Sequence, residues 1–359
     1  MKVLTIFGTR PELIRLCLIV KKLDKLSDQI MIHTGQNYDV NLDKIFLRDL
    51  GYRHIDYYLG AKGTFGEQIG IILSRLEQIL VKEKPDAFLV LGDTNSSLGA
   101  IVAKRMGIRV FHMEAGNRCW DDRVPEETNR RIVDSQSDIL LPYSQRSKEN
   151  LIREGTRGDR IYVTGNPIAE VLEHYKNKIN KSNILIKLKL KRKKYFLITS
   201  HRTENVDNPK RLANLVEAFN QIYDKYKLPM IWSIHPHTKR ELDKNPKLKL
   251  RKGIIPSVPL GFFDFNKLQK NAFCVLSDSG TAPEECSIFG VPVVIIRDSI
   301  ERPETFDAGS VFVAGCKHED VLRGITVATQ SENNWAAPID YQKQNVSDTV
   351  VKIVLSYWK

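Results

Sequence analysis

Short runs of β-branched and aliphatic residues, each followed by a polar loop and an amphipathic stretch, recur along the first half of this chain and begin again at Tyr195. That rhythm specifies a parallel sheet with helices on both faces, because a parallel neighbour is reached only through a crossover. Strands are expected at residues 2–7, 29–34, 86–91, 109–113, 138–141 and 161–163, with helices near 11–26, 66–83, 95–105 and 126–136. The restart runs through Tyr195–Thr199, Met230–Ile234, Ala272–Leu276 and Pro292–Ile296, which predicts a second α/β domain. We place the N-terminal domain at 1–166, joined by a C-terminal helix at 343–359, and the second domain at 167–342. The amphipathic segment Ser347–Trp358 is expected to return to the first domain.

A length of 359 residues suits two cores rather than one. The chain is 42% hydrophobic and 27% charged, and no apolar run approaches the roughly 18 residues that cross a bilayer, so a soluble protein without a membrane partner is expected. The apolar run at the N-terminus is too short for a signal peptide and reads as a first strand. Five scattered cysteines with no CxxC pair argue against a disulfide framework and a thiolate zinc site, which points to the reducing cytoplasm. The formal charge of +12 would attract any polyanion, but its densest run, Lys187–Lys194, lacks interleaved aromatic residues. It reads as a solvated face rather than a nucleic-acid surface.

In open α/β sheets ligands collect beyond the carboxyl ends of strands, so the informative motifs are those just after predicted strands. Gly8-Thr9-Arg10-Pro11-Glu12 opens the first helix and offers Arg10 to an anion; its simpler reading is an ordinary turn with Glu12 complementing the helix dipole. Asp93 in Gly92-Asp93-Thr94 and Glu114 in His112-Met113-Glu114-Ala115-Gly116 end two strands with carboxylates. Pro125-Glu126-Glu127-Thr128-Asn129-Arg130-Arg131 starts a helix on which Glu126 and Arg130 share a face. Carboxylates placed close together separate in pKa, so that one can be a base while another holds its proton.

In the second half, His201 follows a strand within Ser200-His201-Arg202-Thr203-Glu204-Asn205 and is the candidate acid/base histidine. Ser277-Asp278-Ser279-Gly280-Thr281 offers N–H groups and a hydroxyl to a diphosphate, and Glu285 could accept from ribose hydroxyls. Arg297 and Arg302 add guanidinium groups suited to phosphate. His235-Pro236-His237 has the look of a metal site but lacks neighbouring ligands in sequence, so no metal is expected. Neither GxGxxG nor GxxxxGK[ST] occurs.

Taken in order, GTRPE, GDTNS, HMEAG, PEETNRR, HRTEN, SDSGTAPEE and ERPE resemble the non-hydrolysing UDP-N-acetylglucosamine 2-epimerase family over nearly the whole chain. The resemblance implies two Rossmann-like domains in a GT-B-like arrangement, with the active site in the interdomain cleft. It implies inversion at C2 of a UDP-2-acetamido sugar through loss and re-addition of UDP, with no redox cofactor. Asp93, Glu114, Glu126 and His201 then take the family's catalytic positions. Arg10, Arg130 and Arg302 take positive positions, Ser279, Gly280 and Glu285 the diphosphate and ribose contacts, and Pro259–Phe262 the loop beside uracil. Arg15 stands where many members have lysine, and Gln36-Asn37-Tyr38-Asp39 departs from the stretch of substrate-activated members. The loop Gly116–Val124 resembles a subgroup acting on UDP-2-acetamido-2,6-dideoxy-L-talose to give UDP-N-acetyl-L-fucosamine. The family also implies a homodimer. A GT-B glycosyltransferase and a nucleotide-sugar-binding protein without chemistry are the other classes that would share these features.

Overall fold

The computed structural model describes residues 1–36, 40–332 and 334–356. The chain divides into two compact units, one running from Met1 to His174 and resuming at Asp340, the other Tyr175–Ile339. The dividing points thus fall at His174 and Ile339, against the 166 and 342 expected from sequence.

The first unit holds six parallel strands: β1 (Lys2–Phe7), β2 (Asp28–His33), β3 (Tyr57–Tyr58), β4 (Ala87–Leu91), β5 (Arg109–Met113) and β6 (Ile139–Leu141), in the order β3-β2-β1-β4-β5-β6. The second holds β7 (Phe196–Thr199), β8 (Met230–Ser233), β9 (Ile254–Ser257), β10 (Cys274–Ser277), β11 (Val293–Ile295) and β12 (Val311–Val313), in the order β12-β11-β10-β7-β8-β9. Counted from its own first strand, each sheet has the doubly wound order 3-2-1-4-5-6 of dinucleotide-binding folds. In that order the crossovers from the first and fourth strands leave in opposite directions. A crevice therefore opens at their carboxyl ends, between β1 and β4 in one unit and between β7 and β10 in the other.

Alternation on the strands shows why both faces must be covered. Phe196 and Ile198 of β7 belong to one buried cluster with Met230, Trp232, Cys274 and Leu276, whereas Leu197 belongs to the opposite one with Ile231, Val275 and Val293. Each such side chain contributes on the order of 1.5–3 kcal/mol when buried, so neither face can be left to solvent. In the first sheet Leu4, Ile6, Ile30, Ile32, Phe88 and Val90 fill one face.

The expected strand at 161–163 is not formed; Ile161 makes a single bridge to Leu140. Three strands escaped the sequence reading, Tyr57–Tyr58, Ile254–Ser257 and Val311–Val313, all of them at or near sheet edges where the apolar run is short. The helix Val346–Ser356 is held within the first unit: the Ser347 N–H donates to Glu170 Oε2 at 2.8 Å, and Lys22 Nζ meets Asp348 Oδ1 at 2.6 Å. Of the segment predicted there, Tyr357 and Trp358 lie outside the described residues, as do Asn37–Asp39 of the Gln36–Asp39 stretch. The basic run from Lys191 to Lys194 is exposed. No helix among the described residues is long and apolar enough to cross a membrane.

Candidate active site

Two polar loops meet at the crevice of the first sheet because β1 and β4 are direct neighbours, with Thr5 opposite Leu89. Glu12 joins them. Its carboxylate accepts from the N–H groups of Gly8 (2.8 Å) and Thr9 (2.7 Å), from Thr9 Oγ1 (2.8 Å), and from Thr94 Oγ1 of the loop after β4 (2.8 Å). Burial pushes this carboxyl up to about 7, outweighing the lowering effect of the four donors. Gly8 is required for the approach: a Cβ there would lie 1.9 Å from Thr34 Oγ1 and 2.5 Å from Ser96 Oγ.

Asp93 follows directly, and Arg130 holds it. The Arg130 guanidinium donates from Nε to Asp93 Oδ2 at 2.7 Å and from Nη1 to Glu127 Oε2 at 2.6 Å, while Asn129 Nδ2 donates to the Asp93 carbonyl at 2.8 Å. All three partners come from the helix Pro125–Gln136, whose Pro125 starts it without wasting a backbone donor. Burial would raise the Glu127 carboxyl, but the Arg130 guanidinium and the Cys119 N–H prevail and keep it below the ordinary range. Glu126 lies beside it on the first turn, partly exposed.

Glu114 sits just past β5 with a φ of +66°, a left-handed conformation that costs a non-glycine residue on the order of 1–3 kcal/mol. It is buried, with Arg15 Nη1 3.7 Å from its Oε2. A Cβ on Gly92 would come 3.8 Å from the same oxygen, so the Glu114 carboxylate lies alongside the loop that carries Asp93. Arg15, expected at the ligand, is 4% exposed and braces Glu114. Arg10 is partly exposed, its guanidinium 5.9 Å from the centre of the Phe46 ring. The loop from Gly116 onward is anchored by Asp134, which accepts from the Gly116 N–H at 3.1 Å and pairs with His112 Nδ1 at 2.8 Å and with Arg118 at 2.8 Å.

In the second unit the register of β7 against β10 sets Thr199 opposite Ser277, so the residues after each strand face one another. Asp278, fully buried, accepts from Ser200 Oγ (3.0 Å), the N–H groups of His201 (3.0 Å) and Arg202 (3.1 Å), and Asn205 Nδ2 (3.2 Å). The His201 ring is 39% exposed, with Nδ1 3.5 Å from Asp278 Oδ1. Beyond Asp278 the turn is closed by its own hydroxyls, Ser279 Oγ lying 3.2 Å from Thr281 Oγ1. A Cβ on Gly280 would sit 2.6 Å from Glu301 Oε2, so a side chain there would have to displace that carboxylate. Glu301 in turn pairs with Arg297 Nη1 at 3.2 Å and Arg202 Nη2 at 3.8 Å, and Arg297 Nε reaches Glu204 at 2.7 Å.

Glu284 and Glu285 occupy the first turn of the helix Ala282–Phe289, both buried, and Arg302 pairs with Glu284. Phe262, expected beside a base, is 1% exposed and packs edge-on against Tyr175 at 6.1 Å and Phe263 at 5.7 Å. The two histidines of His235-Pro236-His237 have separate tasks: His235 caps the helix Pro236–Asp243, while His237 pairs with Asp207. Among the described residues, Asp207, His237 and Glu241 offer ligand atoms within 4.8 Å of one another, on the surface.

Each unit therefore gathers its own set: Arg10, Arg15, Asp93, Glu114, Glu126 and Arg130 in the first, His201, Phe262, Ser279, Gly280, Glu285 and Arg302 in the second. Sequence reasoning missed Glu127 and Asp278 as organisers and gave Glu12 only a dipole role. Each lies inside a motif already singled out, but nothing in spacing alone distinguishes a carboxylate that binds ligand from one that binds its own loop.

Two sheets of 3-2-1-4-5-6 order, each with polar loops converging at its switch point, define a doubly wound α/β protein of the nucleotide-binding type. The family model for UDP-N-acetylglucosamine 2-epimerase matches residues 21–355. The chain belongs to that family of isomerases, and it has the family's two-domain GT-B-like fold. It is similar to the UDP-N-acetylglucosamine 2-epimerase structure from Rickettsia bellii, at 43% identity and a TM-score of 0.94, covering 100% of this chain and 97% of that one. It is equally similar in fold to the Methanocaldococcus jannaschii UDP-GlcNAc 2-epimerase in complex with UDP-GlcNAc and UDP, at 40% identity and a TM-score of 0.94, covering 99% and 100%. The UDP-2,3-diacetamido-2,3-dideoxy-D-glucuronate 2-epimerase of Pseudomonas aeruginosa is 34% identical, over 90% of each chain.

Proposed function

We propose that this protein interconverts UDP-GlcNAc and UDP-ManNAc by removing the C2 proton, expelling UDP from C1 to leave a 2-acetamidoglucal, and returning UDP with a proton delivered to the opposite face. Removal and redelivery on opposite faces need two acid/base groups, and departure of UDP needs positive charge or N–H donors at the phosphates. In this reading Asp93, Glu114 and Glu126 are the carboxylates of proton transfer and His201 the acid/base histidine. Ser279 and Gly280 hold the diphosphate, with Arg10, Arg130 and Arg302 as cationic support, and Glu285 accepts from ribose. Arg15 acts through Glu114, and Phe262 supports the loop beside the base.

The observation that carries the reading is the collection of these motifs at the two switch points, where doubly wound sheets bind their ligands. A fixed partner adds to it: Asp93 is oriented by Arg130. Family membership supports UDP-GlcNAc as substrate, because relatives of this similarity carry that name and one is a complex with it.

A second sugar is favoured by one feature. The loop from Gly116 to Val124 presents Trp120, 63% exposed, with a φ of +56°. A strained aromatic residue beside Glu127 is suited to select at the sugar, and this loop is where the chain resembles enzymes of 6-deoxy sugars. The test is incubation in deuterated water with UDP-GlcNAc and with UDP-2-acetamido-2,6-dideoxy-L-talose, with NMR of the products. Deuterium at C2 and the inverted sugar are expected, from UDP-GlcNAc foremost; no exchange with either overturns the proposal. A cytoplasmic homodimer belongs to the same reading, and sedimentation of the purified protein as a monomer at micromolar concentration would remove the dimer from it.

A further inference from the structure

Asp278 has no part in the proton transfers assigned above, yet it organises the segment that carries His201. Its position comes from register: β10 and β7 are neighbours, Ser277 lies opposite Thr199, and the Asp278 N–H donates to the Thr199 carbonyl at 3.1 Å. The first residue past one strand thus meets the first residues past the other. Ser200 Oγ, the N–H groups of His201 and Arg202, and Asn205 Nδ2 all converge on its carboxylate.

We propose that Asp278 is the positioning residue for His201, fixing the backbone of its loop and setting the tautomer and charge of its ring. The inference rests on His201 acting as an acid/base group. An amide or hydroxyl could hold such a loop; a fully buried carboxylate is costly and adds a negative charge 3.5 Å from Nδ1. With that charge on the Nδ1 side, the neutral ring keeps its proton on Nδ1 and leaves the Nε2 lone pair for substrate, and the imidazolium is stabilised once it forms. Arg202 and Glu204 on the same segment, Arg297 and Glu301 after β11, and Arg211, whose Nε donates to Asn205 Oδ1 at 3.0 Å and which pairs with Asp298, are charged groups around this loop. They form ion pairs with one another, while the Asp278 carboxylate lies beside the imidazole.

The pH dependence of kcat for UDP-GlcNAc epimerisation tests this in the full-length protein, comparing wild type with His201→Asn, Asp278→Asn and Ser200→Ala. His201→Asn identifies the histidine limb by removing it. Asp278→Asn is expected to lower kcat about tenfold or more and to move that limb about one unit toward lower pH. Ser200→Ala, which loses one loop hydrogen bond without touching the ring, leaves the limb where it is. Asp278→Asn that stays folded with the limb unmoved overturns the inference, as does an equal shift in Ser200→Ala. If Asp278→Asn does not fold, nitrogen-15 NMR of the wild-type histidines decides: His201 protonated on Nδ1 is expected, and protonation on Nε2 overturns the proposal. Unchanged turnover in His201→Asn would instead remove the histidine from the reaction, a different failure.

Discussion

Arg130 places Nε 2.7 Å from Asp93 and Nη1 2.6 Å from Glu127, so one buried guanidinium sets the distance between a strand-end carboxylate and the start of a helix. Two fixed hydrogen-bonding edges are needed for this, and lysine has only a point charge to offer.

Arg130→Lys is therefore expected to retain the fold while losing turnover about tenfold or more. Arg130→Ala, which takes the closest cation from buried Glu127 and leaves it the Cys119 and Trp120 N–H groups and Arg131 at 3.7 Å, should also lose about 1–3 kcal/mol of stability. Steady-state kinetics and urea unfolding check the pair; equal turnover in wild type and Arg130→Lys would show that the bidentate geometry does not matter.

Glu12 gives stability a defined pH dependence. Its carboxyl is raised from 4.5 to about 7, so across that window the folded chain retains a proton that the unfolded chain has released. The contribution is complete below about 4.5 and is lost as pH rises through about 7, at up to about 3 kcal/mol. His33, lowered to about 4 by burial, works in the opposite sense: its contribution is present above the ordinary histidine range and lost as pH falls through about 4. It is common to wild type and Glu12→Gln, so it cancels in their difference. Denaturant unfolding of both from about pH 5 to 8 should show wild type losing stability relative to the variant, and parallel curves would refute the assignment.

Gly280→Ala pushes a methyl group to within 2.6 Å of Glu301 Oε2, and Glu301 is itself tied to Arg297 and Arg202. Either the Glu301 carboxylate or the turn must give way. UDP affinity by calorimetry is expected to fall about tenfold, the loss of roughly one well-made charged hydrogen bond. Affinity within a factor of two of wild type would mean that the turn does not contact the diphosphate.

Trp120→Gly relieves a left-handed conformation that costs an L-residue about 1 kcal/mol or more, so stability should hold or rise despite the lost side chain. The ratio of kcat/KM for the two candidate UDP sugars is expected to change, while UDP affinity is not. An unchanged ratio would take this residue out of sugar selection.

The placement of several candidate residues was legible because a doubly wound sheet puts its loops immediately after its strands. Asp93, Glu114, His201 and Ser279 each stand one or two residues past an apolar run of the sequence, and each lies at the carboxyl end of a strand. Phe262 shows the limit of that reasoning. The motif Pro259–Phe262 gave no sign that Phe262 would start the helix Phe262–Asn271 with its ring turned inward onto Tyr175 and Phe263. The same holds for Arg15, whose helical position says nothing about a partner beyond β5.

The sequence by itself determined the alternation of elements, their restart at Tyr195 and the motifs at strand ends, since these depend on periodicity and local turn chemistry. The short strands Tyr57–Tyr58 and Val311–Val313 were decided by the sheets, which recruit edge segments through backbone hydrogen bonds that no local pattern announces. Tertiary structure also decided the pairing of charges. Asp93 comes from the loop after β4 and Glu127 and Arg130 from the helix Pro125–Gln136, and the meeting of Asp278 with the His201 segment needs the register of β7 on β10. Carboxylates look alike in a sequence; burial and the donors brought to them by distant parts of the chain make one a brace and leave another for chemistry.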